Sequence, residues 1–360
     1  AVLRRLLSAF TQKLGRPGHV PRWRGHRVLL VDGSGFSMPD TFELRKYFGQ
    51  PGNQKPGCGF PVAHILALMD ANTGFLHDVV LSPLRTHDMA HVARLHPNLS
   101  AGDILVADRG FCSYAHLALI SQANRHAVFR VHQRMIVDFH PYRPCSQDIP
   151  GTGIPGSQWI RRLGPCDQLV KWHKPKIRPK WMTAEHYAAL PDTLLVREIK
   201  WRVKKPGSRV REVVLVTTLL DATLYPAAEI ARLYRLRWQV EVDLRDLKTT
   251  LGMEILKGHK VQTVIKEVHV FVLVYNLVRL VMLKAAHQQK VNPLRISFID
   301  ALRWLQPPKP VQSLPELVVN PVRPDRIEPR CIKRRMKEYD LMTVPRRILR
   351  KRLKKRRDAA

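Results

Sequence analysis

Residues 234–248 read YRLRWQVEVDLRDLK, and their spacing is typical of an amphipathic helix. At about 100° per helical residue, four polar side chains of this segment share a stripe roughly 60° wide. These are Tyr234, Arg237, Glu241 and Lys248. The apolar residues form a second stripe, centred about 90° away from the first. They are Leu233, Leu236, Val240, Leu244, Leu247 and Leu251.

An acid flanked by cations at the edge of a core suits metal-assisted phosphate chemistry. A surface helix stabilised by Glu and Arg or Lys pairs, three or four residues apart, has the same pattern. The segment alone leaves both interpretations open.

Two aspartates upstream favour the first interpretation. The apolar run Arg27–Val31 predicts a strand that ends in Asp32, and the run Asp103–Ala107 predicts another that ends in Asp108. Asp is common in the turns that follow strands, so either aspartate alone would carry little weight. Together with Glu241 they predict a cluster of carboxylates.

The segments around these aspartates alternate between strands and helices. Further strands are predicted at Val62–Asp70, Phe75–Leu81 and Ala127–Val131, and helices at His87–Leu95 and Tyr114–Ala123. This alternation favours an α/β layer fold.

Residues 134–225 differ in composition from the rest of the chain. Pro and Gly are frequent there, and two strands are predicted at Leu194–Trp201 and Arg211–Leu219, so we interpret the segment as a β-rich insertion. After it, a helix begins at Pro226 and stops at Gly252, and a second helix spans Val261–His287.

These patterns divide the chain into five parts, one of which is the insertion at residues 134–225. Residues 27–133 and 226–290 are the two halves of one core. Residues 1–26 are a basic linker or the remnant of an N-terminal DNA-binding region, and residues 291–360 are a Pro-containing basic C-terminal region.

The chain carries a large excess of positive charge. It has 61 Lys and Arg against 29 Asp and Glu in 360 residues, a formal net charge of +32. Such an excess indicates a polyanionic partner, with nucleic acid as the leading candidate and an anionic membrane surface as the alternative. No window holds the roughly 18 uninterrupted apolar residues of a membrane-spanning helix, so we expect no membrane partner.

Arg346–Arg357 is the most basic segment, with nine Arg or Lys in twelve positions. It predicts a disordered, solvated tail, and nonspecific phosphate binding by this tail stays open. Five scattered cysteines without a CxxC pair argue against disulfides and zinc, and no secretory signal is evident, so we expect a cytoplasmic protein.

From about residue 27 to residue 350, the chain resembles the bacterial DDE transposases of IS4-type insertion sequences. The most specific likeness is the order Tyr, two residues, Arg, three residues, Glu, six residues, Lys, which residues 234–248 match without departure. The first two acidic positions of the family match Asp32 in LLVDGSGF and Asp108 in LVADRGF, and the third matches Glu241. One departure is that the chain has almost no room for the N-terminal helical DNA-binding domain that family members often carry.

The resemblance implies an α/β fold with an RNase H-like catalytic core, interrupted by the β-rich insertion and followed by a helical C-terminal part and basic tail. It implies that Asp32, Asp108 and Glu241 are catalytic and bind two Mg²⁺ ions, which Mn²⁺ could replace. Carboxylates are the ligands that such ions prefer.

The same resemblance implies roles in DNA binding. Tyr234, Arg237 and Lys248 are expected to hold phosphates near the scissile bond. Among the tryptophans of the insertion, Trp201 is the candidate for stacking on an extruded base, although a place in the insertion core is the ordinary role for such a residue.

The implied function is DNA transposition, in which the enzyme cuts the ends of an insertion sequence and joins their 3′ hydroxyls to target DNA. The implied partners are element ends, target DNA and further copies of the chain, in a homodimer or larger synaptic complex associated with the bacterial nucleoid. No organic small-molecule cofactor is expected. Two alternatives stay open: an RNase H-like nuclease that cuts without joining, and a noncatalytic basic DNA-binding derivative.

Overall fold

One mixed sheet organises the residues that the computed structural model describes, which are 22–51, 58–86, 88–147, 149–202, 212–306, 313–322 and 344–358. Its strands are β1 (Val28–Ser37), β2 (Val62–Asp70), β3 (Leu76–Pro83), β4 (Ile104–Ala107), β5 (His126–Arg130), β6 (Gly156–Gly164), β7 (Asp167–His173), β8 (Thr193–Arg202) and β9 (Glu212–Thr217). They lie in the order β3-β2-β1-β4-β5-β9-β8-β7-β6.

Helices cover both faces of this sheet. They are α1 (Phe42–Phe48), α2 (Tyr114–Gln122), α3 (Ala184–Ala188), α4 (Ala227–Arg235), α5 (Arg237–Arg245), α6 (Val261–Gln288), α7 (Phe298–Leu305) and α8 (Arg346–Arg357). A π-helical turn, Asp246–Thr250, follows α5. The mixed α/β class predicted from the sequence is therefore confirmed.

The centre of the sheet is parallel. β1 pairs with β4 and β4 pairs with β5 in parallel, whereas every other pairing is antiparallel. The carboxyl ends of β1, β4 and β5 therefore meet at one edge of the sheet. Because β9 is antiparallel to β5 and β8 to β9, the start of β9 and the end of β8 lie at the same edge.

Each face of the sheet has its own apolar core, since successive residues of a strand point to opposite sides. Leu30, Val106 and Val128 belong to the core under α4, α5 and α6. Leu29 and Ala107 belong to the opposite core, which α2 and the loops around it cover. The α4–α6 face is the one that concerns the candidate site.

The strands predicted at Leu194–Trp201 and Arg211–Leu219 correspond to β8 and β9, although Arg211 lies outside the described residues. β6 and β7 were not predicted, because polar residues interrupt their apolar pattern. In β7, Asp167 is buried because the buried Arg197 pairs with it, and Gln168 is buried because it donates a hydrogen bond of 2.8 Å to Glu198.

Three expectations about local structure were wrong. The helix predicted at His87–Leu95 is instead a pair of 3₁₀ turns, Asp88–Ala90 and Val92–Asn98, the second containing Pro97, and His87 itself is outside the described residues. β1 does not end at Asp32 but continues to Ser37, because its antiparallel pairing with β2 persists.

The third is the disorder predicted for Arg346–Arg357, which forms the helix α8. Arg, Lys and Leu have high helix propensity and Ile has a moderate one. Pro345 immediately precedes the first turn, a position where proline is favourable. At the other end of the chain, residues 22–26 of the predicted linker are held against the core: His26 bonds the Tyr225 hydroxyl at 2.7 Å. The predictions for residues 1–21 lie outside the described residues.

Of the helices described, α6 is long and apolar enough to cross a membrane by length and composition, and about half of its apolar window, 56%, is buried inside the protein. Asn276 in α6 accepts from the backbone N–H of Leu76 and donates to the carbonyl of the same residue. Arg279 in α6 is also buried and ion-paired. These contacts identify α6 as a core helix that packs against β3, the strand at one side of the sheet.

Candidate active site

Asp32 and Asp108 lie on neighbouring parallel strands. Leu30 of β1 is opposite Val106 of β4, and two further residues along each chain bring Asp32 level with Asp108 on the α4–α6 face. Adjacent strands are about 4.8 Å apart. Asp32 accepts a hydrogen bond of 2.8 Å from the backbone N–H of Gly33, and Asp108 accepts one of 2.7 Å from that of Gly110.

Arg237, the first residue of α5, connects Asp32 to Glu241. Its guanidinium lies 2.8 Å from the Glu241 carboxylate and 3.8 Å from that of Asp32. The guanidinium also lies over the Trp238 ring, 4.3 Å from the ring centre. The Arg237 side chain is only 9% exposed, whereas that of Glu241 is 44% exposed, so Glu241 is the acid with access to solvent.

The three carboxylates influence one another. Burial is the main reason that the pKa of Asp32 is raised to about 6, and the carboxylates of Asp108 and Glu241 raise it further. The hydrogen bond from Gly33 and the charge of Arg237 oppose the rise. Asp32 is therefore a carboxyl whose anionic form lacks sufficient positive charge in its surroundings.

No three His, Cys, Asp or Glu side chains of the described ranges already surround a common point as metal ligands. The donor set nevertheless fits a hard divalent cation, because three carboxylates are the oxygen ligands that Mg²⁺ prefers and Asp32 lacks a full counter-charge. Arg237 now neutralises Glu241. Glu241 would have to exchange this ion pair for a metal ion.

Tyr234 and Lys248 approach the site from the two ends of the helical segment. Arg237 donates a hydrogen bond to the Tyr234 hydroxyl, and burial raises the pKa of this phenol. A neutral phenol is a poor nucleophile and a good hydrogen-bond donor. The Lys248 ammonium lies 5.3 Å from the centre of the Phe36 ring, and Phe36 belongs to β1, the strand of Asp32.

The helical segment is not the single regular helix that the sequence predicts. α4 ends at Arg235, α5 begins at Arg237, and the π-helical turn Asp246–Thr250 contains Lys248. A π-helical turn is wider than an α-helical turn, which shifts the direction of the residues that follow. The shared stripe holds for Arg237 and Glu241, and Lys248 reaches β1 from a turn of different geometry.

Trp201 lies at the end of β8, opposite Val213 of β9. Strand alternation places it on the same face as Ile199, which is the face of Tyr234. β8 is three strands from β4, which separates Trp201 from the Asp108 position by about 14 Å across the strands. The strand pairing places Glu198 level with Ala107 and Trp201 three residues further along β8, so Trp201 shares the face of the carboxylates without contacting them.

Two residues beside the site were not predicted. Arg130 ends β5, and its charge lowers the pKa of Tyr234. It lies 22 residues after Asp108 and reaches the site only through the pairing of β4 with β5, which no local pattern reveals. Trp238, 52% exposed beneath Arg237, could have been singled out as an aromatic residue on the polar side of the helix.

A buried ion cluster supports α5 from behind. Arg279 of α6 pairs with Asp243 and lies 3.5 Å from Asp246, and it donates a hydrogen bond of 2.8 Å to the Tyr275 hydroxyl. Asp243 is fully buried and Arg279 is 2% exposed. Since Asp243 and Asp246 lie between Glu241 and Lys248 in the sequence, this cluster, which we call the Arg279 cluster, fixes the backbone of the candidate site.

A sheet with a parallel centre, two aspartates at its carboxyl edge, and Glu241 and Arg237 beside them is typical of one class of protein: metal-dependent enzymes that act on phosphodiesters. Comparison with known proteins identifies the member of this class. The family model "Transposase DDE domain" matches residues 23–277. The chain belongs to that family, and it is an IS4-type DDE transposase, a metal-dependent enzyme of DNA transposition.

One curated relative is the transposase InsG for insertion sequence element IS4 of Escherichia coli (strain K12). It is 25% identical over 339 residues, which cover 89% of this chain and 70% of the relative. The putative transposase InsZ of the same organism is 29% identical over 107 residues, covering 29% of this chain and 36% of the relative.

Among solved structures, a piggyBac transposase synaptic complex with hairpin DNA matches with a TM-score of 0.41 and 11% identity. The match covers 79% of this chain and 55% of the piggyBac chain. The chain thus spans about half the length of that structural neighbour.

Proposed function

We propose that Asp32, Asp108 and Glu241 are the catalytic carboxylates of this transposase and hold two Mg²⁺ ions, which Mn²⁺ could replace. The observation that carries the proposal is the proximity of the three acids: burial raises the pKa of Asp32 to about 6, and the carboxylates of Asp108 and Glu241 raise it further although Arg237 is beside it. Bound at this place, the ions would help to deprotonate a water or 3′ hydroxyl and stabilise the departing oxygen.

Asp32 is the central ligand in this proposal, because it lies between the strand of Asp108 and the helix of Glu241. The chemistry has two parts. A water oxygen bonds to the phosphorus at the element end and the bond to the 3′ oxygen breaks, leaving a 3′ hydroxyl and a 5′ phosphate. That hydroxyl then bonds to a target phosphorus, loses its proton, and displaces a 3′ oxygen of the target strand.

Arg237 has two partners in turn. Without DNA it neutralises Glu241 and Asp32. When Glu241 leaves this pair, the planar guanidinium is free to bind two oxygens of a DNA phosphate, with Trp238 holding its plane. Tyr234 and Lys248 contribute a hydrogen bond and a point charge to neighbouring phosphates, and Arg130 adds a further cation.

Trp201 is proposed to stack on a base unpaired at the end of the element. Trp201 lies on the same face of the sheet as Tyr234, three strands from Asp108. If a duplex follows the carboxyl edge of the sheet, Trp201 would meet it several base pairs from the scissile phosphate. Its distance from the carboxylates keeps it from the reaction itself.

We propose an RNase H-like core made of residues 27–133 and 226–290. The order β3-β2-β1-β4-β5, with β1, β4 and β5 parallel, supports it. Residues 134–225 are the proposed β-rich insertion, since β6 to β9 extend the sheet beyond β5. Residues 1–26 and 291–360 are assigned to the basic flanking regions.

The proposed working form is a homodimer or larger complex that holds two element ends and target DNA together, in a bacterial cytoplasm and on the nucleoid. The net charge of +32 supports the DNA partner. Cleavage without joining would instead identify a nuclease.

The test is incubation of the protein with Mg²⁺ or Mn²⁺ and DNA carrying its own gene with flanks, with breaks and new joints mapped by sequencing. Asp108→Asn should abolish both while most DNA affinity remains. Asp192→Asn is the matched control, because this chemically identical change affects an aspartate whose side chain is 92% exposed. Normal cutting by the Asp108→Asn variant would refute the assignment.

A further inference from the structure

The basic helix α8 is attached to the protein through its first turn. The Arg346 guanidinium lies over the Phe60 ring, 3.4 Å from its centre, and 3.8 Å from the Asp40 carboxylate. The Arg346 side chain is 17% exposed, and that of Asp40 is 5% exposed. Leu349 is half-buried, whereas all residues from Arg350 to Asp358 are exposed. The first turn is therefore an anchor, and the rest of the helix is in solvent.

The exposed part of α8 has an uncompensated charge. Residues three and four apart are neighbours on a helix, and like charges at these spacings are destabilising. Arg350 and Lys354 form such a pair, and so do Lys351 and Lys355. Within the described residues, carboxylates pair with α8 only at its ends, through Asp40 and Asp358. The central part of the helix lacks an anionic partner within the chain.

The anchor lies near the edge of the sheet that carries the proposed active site. β1 continues from Asp32 to Ser37 along this direction, and Asp40 follows three residues later. Eight residues of chain can span at most about 28 Å, so the anchor is within about 28 Å of Asp32. At 3.4 Å per base pair, this distance corresponds to about eight base pairs of duplex DNA.

We propose that α8 is a second DNA contact, which lies along the phosphate backbone of a duplex held at the active site and begins within about eight base pairs of the scissile phosphate. At 1.5 Å per residue, the helix is about 18 Å long, enough to follow about five base pairs. The position along the duplex rests on the proposed function, whereas the contribution to affinity does not.

Duplex DNA fits α8 better than an anionic membrane does. A helix that lies in a membrane interface needs a continuous apolar face opposite its charges. α8 has three apolar residues, Ile348, Leu349 and Leu353, and Leu349 is turned toward the protein. The nine cations surround the helix on all sides, an arrangement suited to the phosphates bordering a groove.

The first experiment is to replace four exposed cations, Arg350, Lys351, Lys354 and Lys355, by Gln in the full chain. Binding of a 30-base-pair duplex is followed by fluorescence anisotropy in EDTA, so that no cutting occurs. The slope of log affinity against log salt is negative, and the loss of four phosphate contacts should make it less steep by about 3.5. Binding at low salt should weaken by at least tenfold.

The matched control replaces four exposed cations elsewhere, Arg161, Lys180, Lys284 and Lys290, by Gln, which removes the same charge. It should change the slope much less. Equal losses in the two variants would show a general charge effect and overturn the proposal, and so would unchanged binding by the α8 variant. Both variants should keep their thermal midpoint, since the altered side chains are exposed.

The position is tested by phosphate ethylation interference on an element-end duplex. The wild type should show a block of sensitive phosphates that begins within about eight base pairs of the cleavage site and is absent from the α8 variant. Phe60→Leu removes the ring under Arg346 and should spread this block. Sensitive phosphates that persist in the α8 variant would overturn the placement.

Two further measurements separate the possible causes of failure. Binding of α8 to vesicles containing phosphatidylserine, with unchanged DNA affinity, would overturn the DNA assignment in favour of a membrane. If Asp108→Asn cuts normally, the proposed catalytic site fails, yet a weaker affinity of the α8 variant would still support this helix as a DNA contact.

Discussion

Replacing Arg279 by Met should show how strongly the Arg279 cluster supports the proposed site. Arg279 is the cation that Asp243 and Asp246 share, and Asp243 is fully buried. Met has a similar length and is apolar, so the change removes the charge, its hydrogen bonds and the contacts of the guanidinium with the Tyr275 and Phe298 rings.

The expected loss follows from the buried carboxylates. Breaking a buried pair by removing one partner typically costs about 3–5 kcal/mol, because the other charge is left unpaired. The Asp243 carboxyl can reduce this cost by binding a proton, since burial already raises its pKa. In the Arg279→Met variant the folded protein would then bind more protons than the unfolded chain above about pH 4.

The sign of the pH dependence follows from this proton. Because this carboxyl binds a proton in the folded variant, its contribution to the free energy of unfolding falls as pH rises, by at most about 1.4 kcal/mol per pH unit up to its folded pKa. The variant should therefore be about 3–5 kcal/mol less stable than the wild type at pH 7, and the difference between the two proteins should be smaller at pH 5.

Urea unfolding followed by tryptophan fluorescence at pH 5, 6 and 7 measures these quantities. The double variant Arg279→Met/Asp243→Asn is the critical control, since it removes the buried charge as well. It should be more stable at pH 7 than the single variant, and its difference from the wild type should depend little on pH. A loss below about 1 kcal/mol at pH 7, a difference between wild type and single variant that does not grow from pH 5 to pH 7, or a less stable double variant would refute the reasoning.

Three further predictions concern other parts of the molecule. Burial lowers the pKa of His96 to about 3 and that of His116 to about 4. The unfolded chain therefore binds protons first, and acidification from pH 7 to pH 5 should cost about 2 kcal/mol for each histidine. Urea unfolding of His96→Gln should show a loss about 2 kcal/mol smaller than that of the wild type over this range, and an equal loss would contradict the prediction. Gly33→Ala would place a methyl group 2.5 Å from the Asp88 carboxylate, whereas the methyl group of Gly35→Ala would meet nothing closer than 3.4 Å. Thermal unfolding should therefore show that Gly33→Ala lowers the free energy of unfolding by about 1–3 kcal/mol, and Gly35→Ala by less than half of that. Trp238→Ala removes the ring beside Arg237, and this contact between ring and guanidinium contributes about 0.5–1 kcal/mol. The variant should cleave element ends about two- to fivefold more slowly, with an unchanged thermal midpoint. A normal rate would show that the ring does not hold Arg237.

The sequence predicted the acidic residues because each follows or interrupts a clear local pattern. Asp32 and Asp108 come directly after apolar runs, and Glu241 occupies the polar side of an amphipathic segment. The alternation of strands and helices predicted an α/β layer fold, but not which strands are neighbours. The position of Asp32 beside Asp108 depends on the parallel pairing of β1 with β4, which the structure shows.

What the sequence could not predict depends on distant partners. Arg279 lies in an apolar helix, and its burial is explained only by Asp243 and Asp246 on another element. Arg130 reaches the site through strand pairing. The π-helical turn at Lys248 also has no simple local signature, since Asp246, which begins it, is held by a residue 33 positions away.

The order of the elements along the chain has a consequence for the newly made protein. Asp32 leaves the ribosome early, Glu241 much later, and Arg279, which fixes the backbone beside Glu241, later still. At about 5–20 residues per second, the roughly 200 residues between Asp32 and Glu241 take about 10–40 s to synthesise. During that interval the nascent chain already carries many cations and attracts nucleic acid, yet it cannot assemble the proposed set of acids. A truncated translation product that ends before α5 would likewise occupy DNA without cutting it.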